Sequence, residues 1–350
     1  MQVIIHMGLH KTGTKYFQNY VFPKLNVVYN PPILTQYAVD FLRADEVDKQ
    51  IVFHKFMEEK KKIEKTYKDG VILLSREYFS GNLFTAYKDW HQNIKLIYKL
   101  FPEAKIIIFF RYQTDWLLSC YRESIYEHHY QKIGDFLDFS NVENDFNKNG
   151  FVKLYPYNLN YSIFIQSLYE LYGEDNIYHF FFEDFKKFKK ETISSLLSIL
   201  DIDLNRIRFN DVKTIPNRGC SSFSIKLSLA RYNFLSKKFI HRPIIFFGPG
   251  SIPAGSEELS CLDKEKYWND LVFKRDNEEI RSVNYPKLSI AERIIMEFSW
   301  RHFIKHRVDM LMRFDKDLIY EYRVELDKTF KNINKDFKKI IGEVPKEYVE

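Results

Sequence analysis

A loop near the start of the sequence combines the residue types that bind phosphate. Gly8 and Gly13 bracket this loop, which carries Lys11 and Thr12. An apolar run at 3–5 precedes it and apolar residues at helical spacing follow, so we expect a strand, a tight loop and a helix. Glycine lets the backbone approach an anion, lysine adds charge, and the free N–H groups of a helix start face the loop. The pattern predicts a phosphate-binding loop. An ordinary strand-to-helix turn with a solvated lysine is the alternative.

The loop departs from the Walker A pattern at its end. That pattern places a lysine and then a serine or threonine after the second glycine, whereas Gly13 is followed by Thr14 and Lys15. A P-loop nucleotide kinase or NTPase with Mg²⁺ is therefore an alternative against which this order speaks. The lysine inside the loop, Lys11, is the unusual feature.

A second candidate anion site follows a later apolar run. Residues 104–110 predict a buried strand, Arg111 comes directly after it, and Ser119 lies eight residues further on. Arginine can bind a phosphate through two parallel hydrogen bonds, and serine adds a hydroxyl donor. The alternative is an arginine paired with Asp115. We expect Thr114 to cap the intervening helix.

Glu77 is the candidate general base. It lies just after the apolar run 71–74, and ligand chemistry in open parallel sheets gathers at the carboxyl ends of strands. Its alternatives are an ion pair with Arg76 or a carboxylate at a helix start. His10 competes for the role of base because imidazole suits proton transfer near neutral pH, although a structural hydrogen bond also explains it. His6, inside the first strand, is expected to be a core residue.

Alternating apolar runs and helical patterns place these residues in an α/β fold. Strands are predicted at 3–5, 26–29, 71–74, 104–110 and 176–182, and helical segments at 35–68, 89–100, 159–172, 186–200, from 221 or 222 onward, and at 286–340. Such alternation predicts a central parallel sheet flanked by helices in three layers, like that of P-loop NTPases. We expect one domain over 1–350, with an α/β core at 1–200 and a mostly helical part at 201–350.

Composition excludes several classes of protein. The chain has 350 residues, 45% of them hydrophobic, and a mild net charge of +6, which does not require nucleic acid as a partner. No apolar run approaches the length of a membrane span, and no signal segment is evident, so we expect a cytoplasmic protein. Cys120, Cys220 and Cys261 form neither zinc spacing nor a disulfide framework. Adjacent His128 and His129 face different directions on a helix, so no metal is expected.

Together these motifs resemble the PAPS-dependent sulfotransferase family, particularly its bacterial carbohydrate-type members. Those proteins bind the 5′-phosphosulfate with a loop of the form K-[TS]-G-T, which is Lys11 to Thr14 here. They hold the 3′-phosphate with an arginine at a strand end and a serine eight residues later, here Arg111 and Ser119. Some use a glutamate base placed as Glu77 is. The resemblance covers 1–200 well and the remainder weakly.

The same resemblance implies further site residues and one departure. Arg218 and Gly219 would form a third loop at the cofactor, with an ordinary polar turn as the alternative. Lys15 stands where many members have a second threonine. If only its backbone serves the phosphate, the change costs nothing. The basic aromatic segment 237–242 could receive an anionic glycan or contact a membrane surface at the inner face, and equally could be a solvated loop.

The resemblance also implies the reaction. The sulfuryl group of PAPS would pass in line to a hydroxyl, or secondarily an amine, of a carbohydrate, glycoconjugate or glycolipid, leaving PAP. Lys11 would stabilise the leaving phosphate and Glu77 would accept the proton of the acceptor. A non-catalytic scaffold that binds nucleotide is the remaining alternative. The oligomeric state is not predicted.

Overall fold

The computed structural model describes residues 1–68, 70–83, 86–126, 131–139, 154–200, 220–236, 308–309 and 317–350. Its centre is a five-stranded parallel sheet with the strand order β2-β3-β1-β4-β5. The strands are β1 (Gln2–His6), β2 (Val28–Tyr29), β3 (Val71–Ser75), β4 (Lys105–Phe110) and β5 (Ile177–Phe181). In the middle of the sheet, Ile4 of β1 pairs with Leu73 of β3 on one side and with Lys105 of β4 on the other.

Helices connect and cover these strands. They are α1 (Thr14–Tyr16), α2 (Pro32–Arg43), α3 (Glu46–Thr66), α4 (Trp90–Leu100), α5 (Gln113–Tyr126), α6 (Ile133–Phe136), α7 (Tyr161–Tyr172), α8 (Phe182–Lys187), α9 (Lys189–Ile199), α10 (Ser222–Ser236) and α11 (Tyr320–Ile341). Short 3-10 turns lie at Phe22–Lys24, Glu77–Ser80, Pro156–Asn158, Glu174–Asn176 and Lys346–Tyr348. Within the described residues, no helix combines the length and the apolar composition needed to cross a membrane.

Two apolar cores lie on opposite faces of the sheet. Ile5, Ile72 and Ile108 point into the larger core, which α4, α7 and α11 complete. Ile4 and Leu73, their neighbours along the strands, point into the smaller core, which is shared with α9. Because successive strand residues face opposite sides and both sides are covered, the strands consist of continuous apolar runs. The predicted three-layer α/β fold is confirmed.

Several element boundaries differ from the predictions. The segment 35–68 contains two helices rather than one. Asp45 lies between α2 and α3 and caps α3 by accepting a hydrogen bond from the N–H of Asp48 (3.0 Å). The segment 186–200 likewise divides, between α8 and α9. The predicted cap at Thr114 is wrong: α5 begins one residue earlier, and the Thr114 hydroxyl donates to Asp327 Oδ1 (2.6 Å) instead.

The described part of the C-terminal segment is helical, as predicted, and it contacts the start of α5. Asp327 accepts hydrogen bonds from the Thr114 hydroxyl and from the Tyr112 hydroxyl (2.8 Å). Further along α11, Asn334 and Gln113 form a reciprocal amide pair. The first turn of α5 is therefore held by α11. The division into a core at 1–200 and a helical part at 201–350 stays a prediction.

Candidate functional site

The candidate site lies at the carboxyl ends of three adjacent strands. In the sheet, β1 is flanked by β3 and β4, and all three run parallel. Lys11 follows β1, Glu77 follows β3 and Arg111 follows β4. Parallel strands end at the same edge, so three residues from distant parts of the sequence are brought to one place.

The glycine-bracketed loop has a backbone that only some residues adopt. Lys11 (φ 64°) and Gly13 (φ 91°) are both in the left-handed region, which favours glycine and strains most other residues. A Cβ atom on Gly8 would lie 2.4 Å from the Thr14 hydroxyl oxygen, so the loop is closed tightly on itself. The Thr12 hydroxyl donates to the carbonyl of Leu9 (2.6 Å) across the loop. The loop thus has a defined backbone shape.

The helix after the loop is shorter than predicted. Only Thr14–Tyr16 is α-helical, and the chain continues as a π-helical segment (Phe17–Val21) before the 3-10 turn. The three segments follow one another without a break, so the helical course of the chain extends from Thr14 to Lys24. The N–H groups at its start and the Lys11 ammonium are the groups that this loop offers to an anion.

Three larger side chains hold the loop from outside. The indole N–H of Trp116 donates to the carbonyl of His10 (2.7 Å), and the Tyr87 hydroxyl accepts from the His10 backbone N–H (2.6 Å). Arg111 Nη1 donates to the carbonyl of Lys11 (2.9 Å). This last contact joins the two predicted anion motifs, which are 100 residues apart in the sequence.

Arg111 is fixed on its other sides as well. Its guanidinium lies over the Phe182 ring at 4.8 Å from the ring centre, and its carbonyl accepts a hydrogen bond from the Tyr161 hydroxyl (2.7 Å). The sequence left open an ion pair between Arg111 and Asp115. No such pair is found between these two described residues, and Asp115 pairs with Arg323 instead (3.1 Å). The Arg111 side chain is therefore oriented toward the loop.

Glu77 opens the 3-10 turn after β3 and faces His10. Its Oε2 lies 4.0 Å from His10 Nε2, and the alternative ion pair with Arg76 is not seen between these described residues. Burial raises the pKa of Glu77, while the positive charges of Lys11 and Lys15 oppose that rise. A raised pKa makes the carboxylate a stronger base.

His10 is the weaker candidate base. Its Nδ1 is 3.1 Å from the Tyr87 hydroxyl. Because that hydroxyl accepts the His10 backbone N–H, its own hydrogen is available to Nδ1, which leaves the N–H on Nε2, facing Glu77. Burial lowers the pKa of His10 to about 3, with smaller contributions from Lys11 and Lys15. His10 is thus neutral at pH 7, and its Nε2 lies beyond direct hydrogen-bond distance of the Glu77 carboxylate. His6 is a core residue, as predicted, with Nδ1 2.7 Å from the Ser75 hydroxyl.

Glu123 is a site residue that the sequence analysis missed. Its Oε2 lies 2.8 Å from Lys11 Nζ, and both side chains are about four-fifths buried, with 18% of Lys11 and 20% of Glu123 exposed. Glu123 lies on α5 four residues after Ser119, so the two share a helix face. This spacing was the available signal. Ser119 is partly exposed, and within the described residues no hydrogen bond engages its hydroxyl.

Glu183 links the site to the end of the described chain. Its carboxylate accepts the backbone N–H of Tyr112 (3.1 Å) and the hydroxyl of Tyr348 (3.3 Å). Burial raises the pKa of Glu183, and the hydrogen bond from Tyr112 opposes that rise. The acidic residue after β5 thus anchors the turn between Arg111 and α5.

The remaining predicted positions are placed as follows. Lys15 is exposed at the rim of the loop. Arg218, Gly219, the segment 237–242 and the His128–His129 pair lie outside the described residues. Among the described residues, no group of three His, Cys, Asp or Glu side chains is arranged to hold a metal ion.

Comparison with known proteins gives distant similarities only. No protein-family model matches the sequence, and no curated protein matches it. Among solved structures, a sulfotransferase from Alicyclobacillus acidocaldarius is similar, with 11% identity and a TM-score of 0.42, over 69% of this chain and 97% of that one. Mouse sulfotransferase SULT7A1 complexed with PAP is also similar, with 15% identity and a TM-score of 0.32, over 85% of this chain and 88% of that one. What those proteins bind or do stays a property of those proteins.

Proposed function

We propose that this protein transfers the sulfuryl group of PAPS to a hydroxyl of a carbohydrate or glycoconjugate. One observation carries the proposal: the hydrogen bond from Arg111 to the Lys11 carbonyl joins two anion motifs at one sheet edge. A donor with phosphate groups at both ends of its nucleotide needs two such cationic groups. A cytoplasmic location and a glycan or glycolipid acceptor belong to the same proposal, as does a single domain over 1–350.

In this mechanism the donor is held by the loop and by Arg111. The N–H groups between Lys11 and Thr14 bind the 5′-phosphosulfate, and the Lys11 ammonium stabilises charge on the leaving phosphate. The planar guanidinium of Arg111 binds the 3′-phosphate, helped by the Ser119 hydroxyl. Arg218 and Gly219 would complete the nucleotide site.

The transfer itself exchanges one S–O bond for another. The acceptor oxygen attacks sulfur in line as the bond from sulfur to the phosphate oxygen breaks. Glu77 takes the acceptor proton, and the products are a sulfate ester and PAP. Glu77 is favoured over His10 because burial raises its pKa, whereas burial makes the His10 imidazole a weak base.

Binding of adenosine 3′,5′-bisphosphate (PAP) tests the donor site. We expect PAP to raise the melting temperature, whereas ATP with Mg²⁺ leaves it nearly unchanged; at a hundredfold excess over Kd the gain is about 2.7 kcal/mol. Lys11→Ala and Arg111→Ala should abolish the shift. Lys62→Ala is the matched control, since it removes an exposed lysine of α3 outside the site and should bind PAP normally. Stabilisation by ATP–Mg²⁺ alone would instead favour a kinase or NTPase.

The base is tested separately from binding. We expect Glu77→Gln to bind PAP like the wild type and to lose sulfuryl transfer from PAPS to glycan acceptors, because the amide cannot accept the proton. Full activity in Glu77→Gln would place the base elsewhere, with His10 next in line. A wild type that binds PAP but transfers no sulfuryl group to any glycan acceptor would instead favour a nucleotide-binding scaffold.

A further inference from the structure

The ion pair between Lys11 and Glu123 has no role in the mechanism above. Lys11 Nζ and Glu123 Oε2 are 2.8 Å apart, and each side chain is largely shielded from water. The negative charge of Glu123 also raises the pKa of Glu77, so the three charges lie within electrostatic reach of one another. The lysine assigned to the donor therefore already has an anionic partner in the protein without nucleotide.

Both partners of this pair are attached to well-fixed backbone. Lys11 has a left-handed φ of 64°, and its carbonyl is held by Arg111. Glu123 lies in the third turn of α5, whose first turn is held by α11. Both side chains are largely shielded from water, so their attraction is screened less than that of an exposed surface ion pair.

We propose that Glu123 is an internal counter-ion that occupies Lys11 and competes with the anionic group of the donor. The inference rests on the proposed function, since it assumes that Lys11 binds the 5′-phosphosulfate. The Glu123 carboxylate takes one of the three N–H donors of the Lys11 ammonium and offsets its charge, so an incoming phosphate meets a weaker attraction. Glu123 is thus a positioning residue that acts through Lys11.

This proposal and a purely structural ion pair predict opposite signs. If Glu123 only supports the fold around Lys11, removing its charge loosens the site and weakens nucleotide binding. If Glu123 competes for Lys11, removing its charge strengthens nucleotide binding. The direction of the change in affinity therefore separates the two.

The experiment is a calorimetric titration of PAP into wild type and Glu123→Gln at low salt. We expect Glu123→Gln to bind PAP about two- to fivefold more tightly, the range that corresponds to losing a partly exposed ion pair. The difference should shrink at high salt, where screening weakens the pair.

Glu59→Gln is the matched control, because Glu59 also pairs with a lysine, Lys62 (3.2 Å), but lies on α3 outside the site. It should bind PAP like the wild type. Should Glu123→Gln fail to fold, Glu123→Asp keeps the charge and withdraws it by one methylene, and a smaller gain in affinity is expected.

Two results would overturn the counter-ion role. Unchanged or weaker PAP binding in a folded Glu123 variant, with a wild type that binds PAP, removes that role and leaves the proposed function intact. If neither the wild type nor any variant binds PAP, the proposed function is wrong, and the role of Glu123 is wrong with it.

Discussion

The buried amide pair between Gln113 and Asn334 offers a measure of how firmly α11 holds α5. Both side chains are fully buried. Gln113 Nε2 donates to Asn334 Oδ1 (2.7 Å), and Asn334 Nδ2 donates to Gln113 Oε1 (3.0 Å) and to the carbonyl of Tyr348 (3.2 Å). We expect Asn334→Leu, which keeps the branched shape of the side chain and removes all three hydrogen bonds, to destabilise the protein strongly.

The magnitude follows from the groups left without partners. After Asn334→Leu, the Gln113 carbonyl oxygen and the Tyr348 carbonyl have none of these bonds, and Gln113 Nε2 keeps only a long contact to the carbonyl of Leu159 (3.4 Å). Each buried polar group without a partner costs about 1–3 kcal/mol. Allowing for relaxation, we expect a loss of about 3–5 kcal/mol, a large part of the stability of an ordinary domain.

A double-mutant cycle isolates the pair itself. Replacing both partners with leucine removes the unsatisfied amide, so the double variant should be less destabilised than the sum of the single variants by about 2 kcal/mol. Urea unfolding followed by tryptophan fluorescence and by circular dichroism gives these free energies. Additive single effects, or a loss below about 1 kcal/mol for Asn334→Leu, would refute the reasoning.

The same urea curves test the prediction of one domain. If residues 1–350 form one cooperative unit, Asn334→Leu should shift a single transition that both probes report together. A second transition that is insensitive to Asn334→Leu would show that the α/β core unfolds independently of α11, and the predicted single domain would then be wrong.

Three further predictions concern single residues. Gly13→Ala should lower stability by about 1–2 kcal/mol in urea unfolding, because alanine is strained at the φ of 91°; an unchanged midpoint would contradict this. Phe182→Leu should weaken PAP binding several-fold in calorimetry by removing the ring under Arg111, and an unchanged affinity would argue against that contact. Burial lowers the pKa of His6 to about 3, below its unfolded value of about 6.5. Its contribution to stability is therefore complete above pH 6.5 and is lost as pH falls toward 3, so His6→Gln should flatten that pH dependence of the urea midpoint.

The features that could be predicted from the sequence are those with a local signal. The strands at 3–5, 71–74 and 104–110 were found because both faces of the sheet are covered, so their apolar runs are unbroken. Lys11, Glu77 and Arg111 follow those runs directly, and the strand ends then bring them together. In a parallel sheet, the residues that directly follow each apolar run can therefore be predicted to lie at the same edge.

The features that were missed depend on contacts across long separations. Thr114 has the residue type of a helix cap, but its hydroxyl is taken by Asp327, 213 residues later. The spacing of Glu123 from Ser119 indicates a shared helix face, but it does not indicate that Glu123 meets Lys11 from another part of the chain. The length of α1 could not be foreseen either, because Phe17 and Val21 fit a π-helical as well as an α-helical arrangement.

The strand order sets the spacing of the three site segments. Neighbouring strands are about 4.8 Å apart, so the three chain segments that leave β3, β1 and β4 emerge at about that interval, and the outer two are about 10 Å apart. Any ligand that reaches Glu77, Lys11 and Arg111 must lie across the strands and meet them in that sequence. Substitutions can change how strongly each group binds the ligand. Reversing the direction of the ligand would require a different strand order in the sheet.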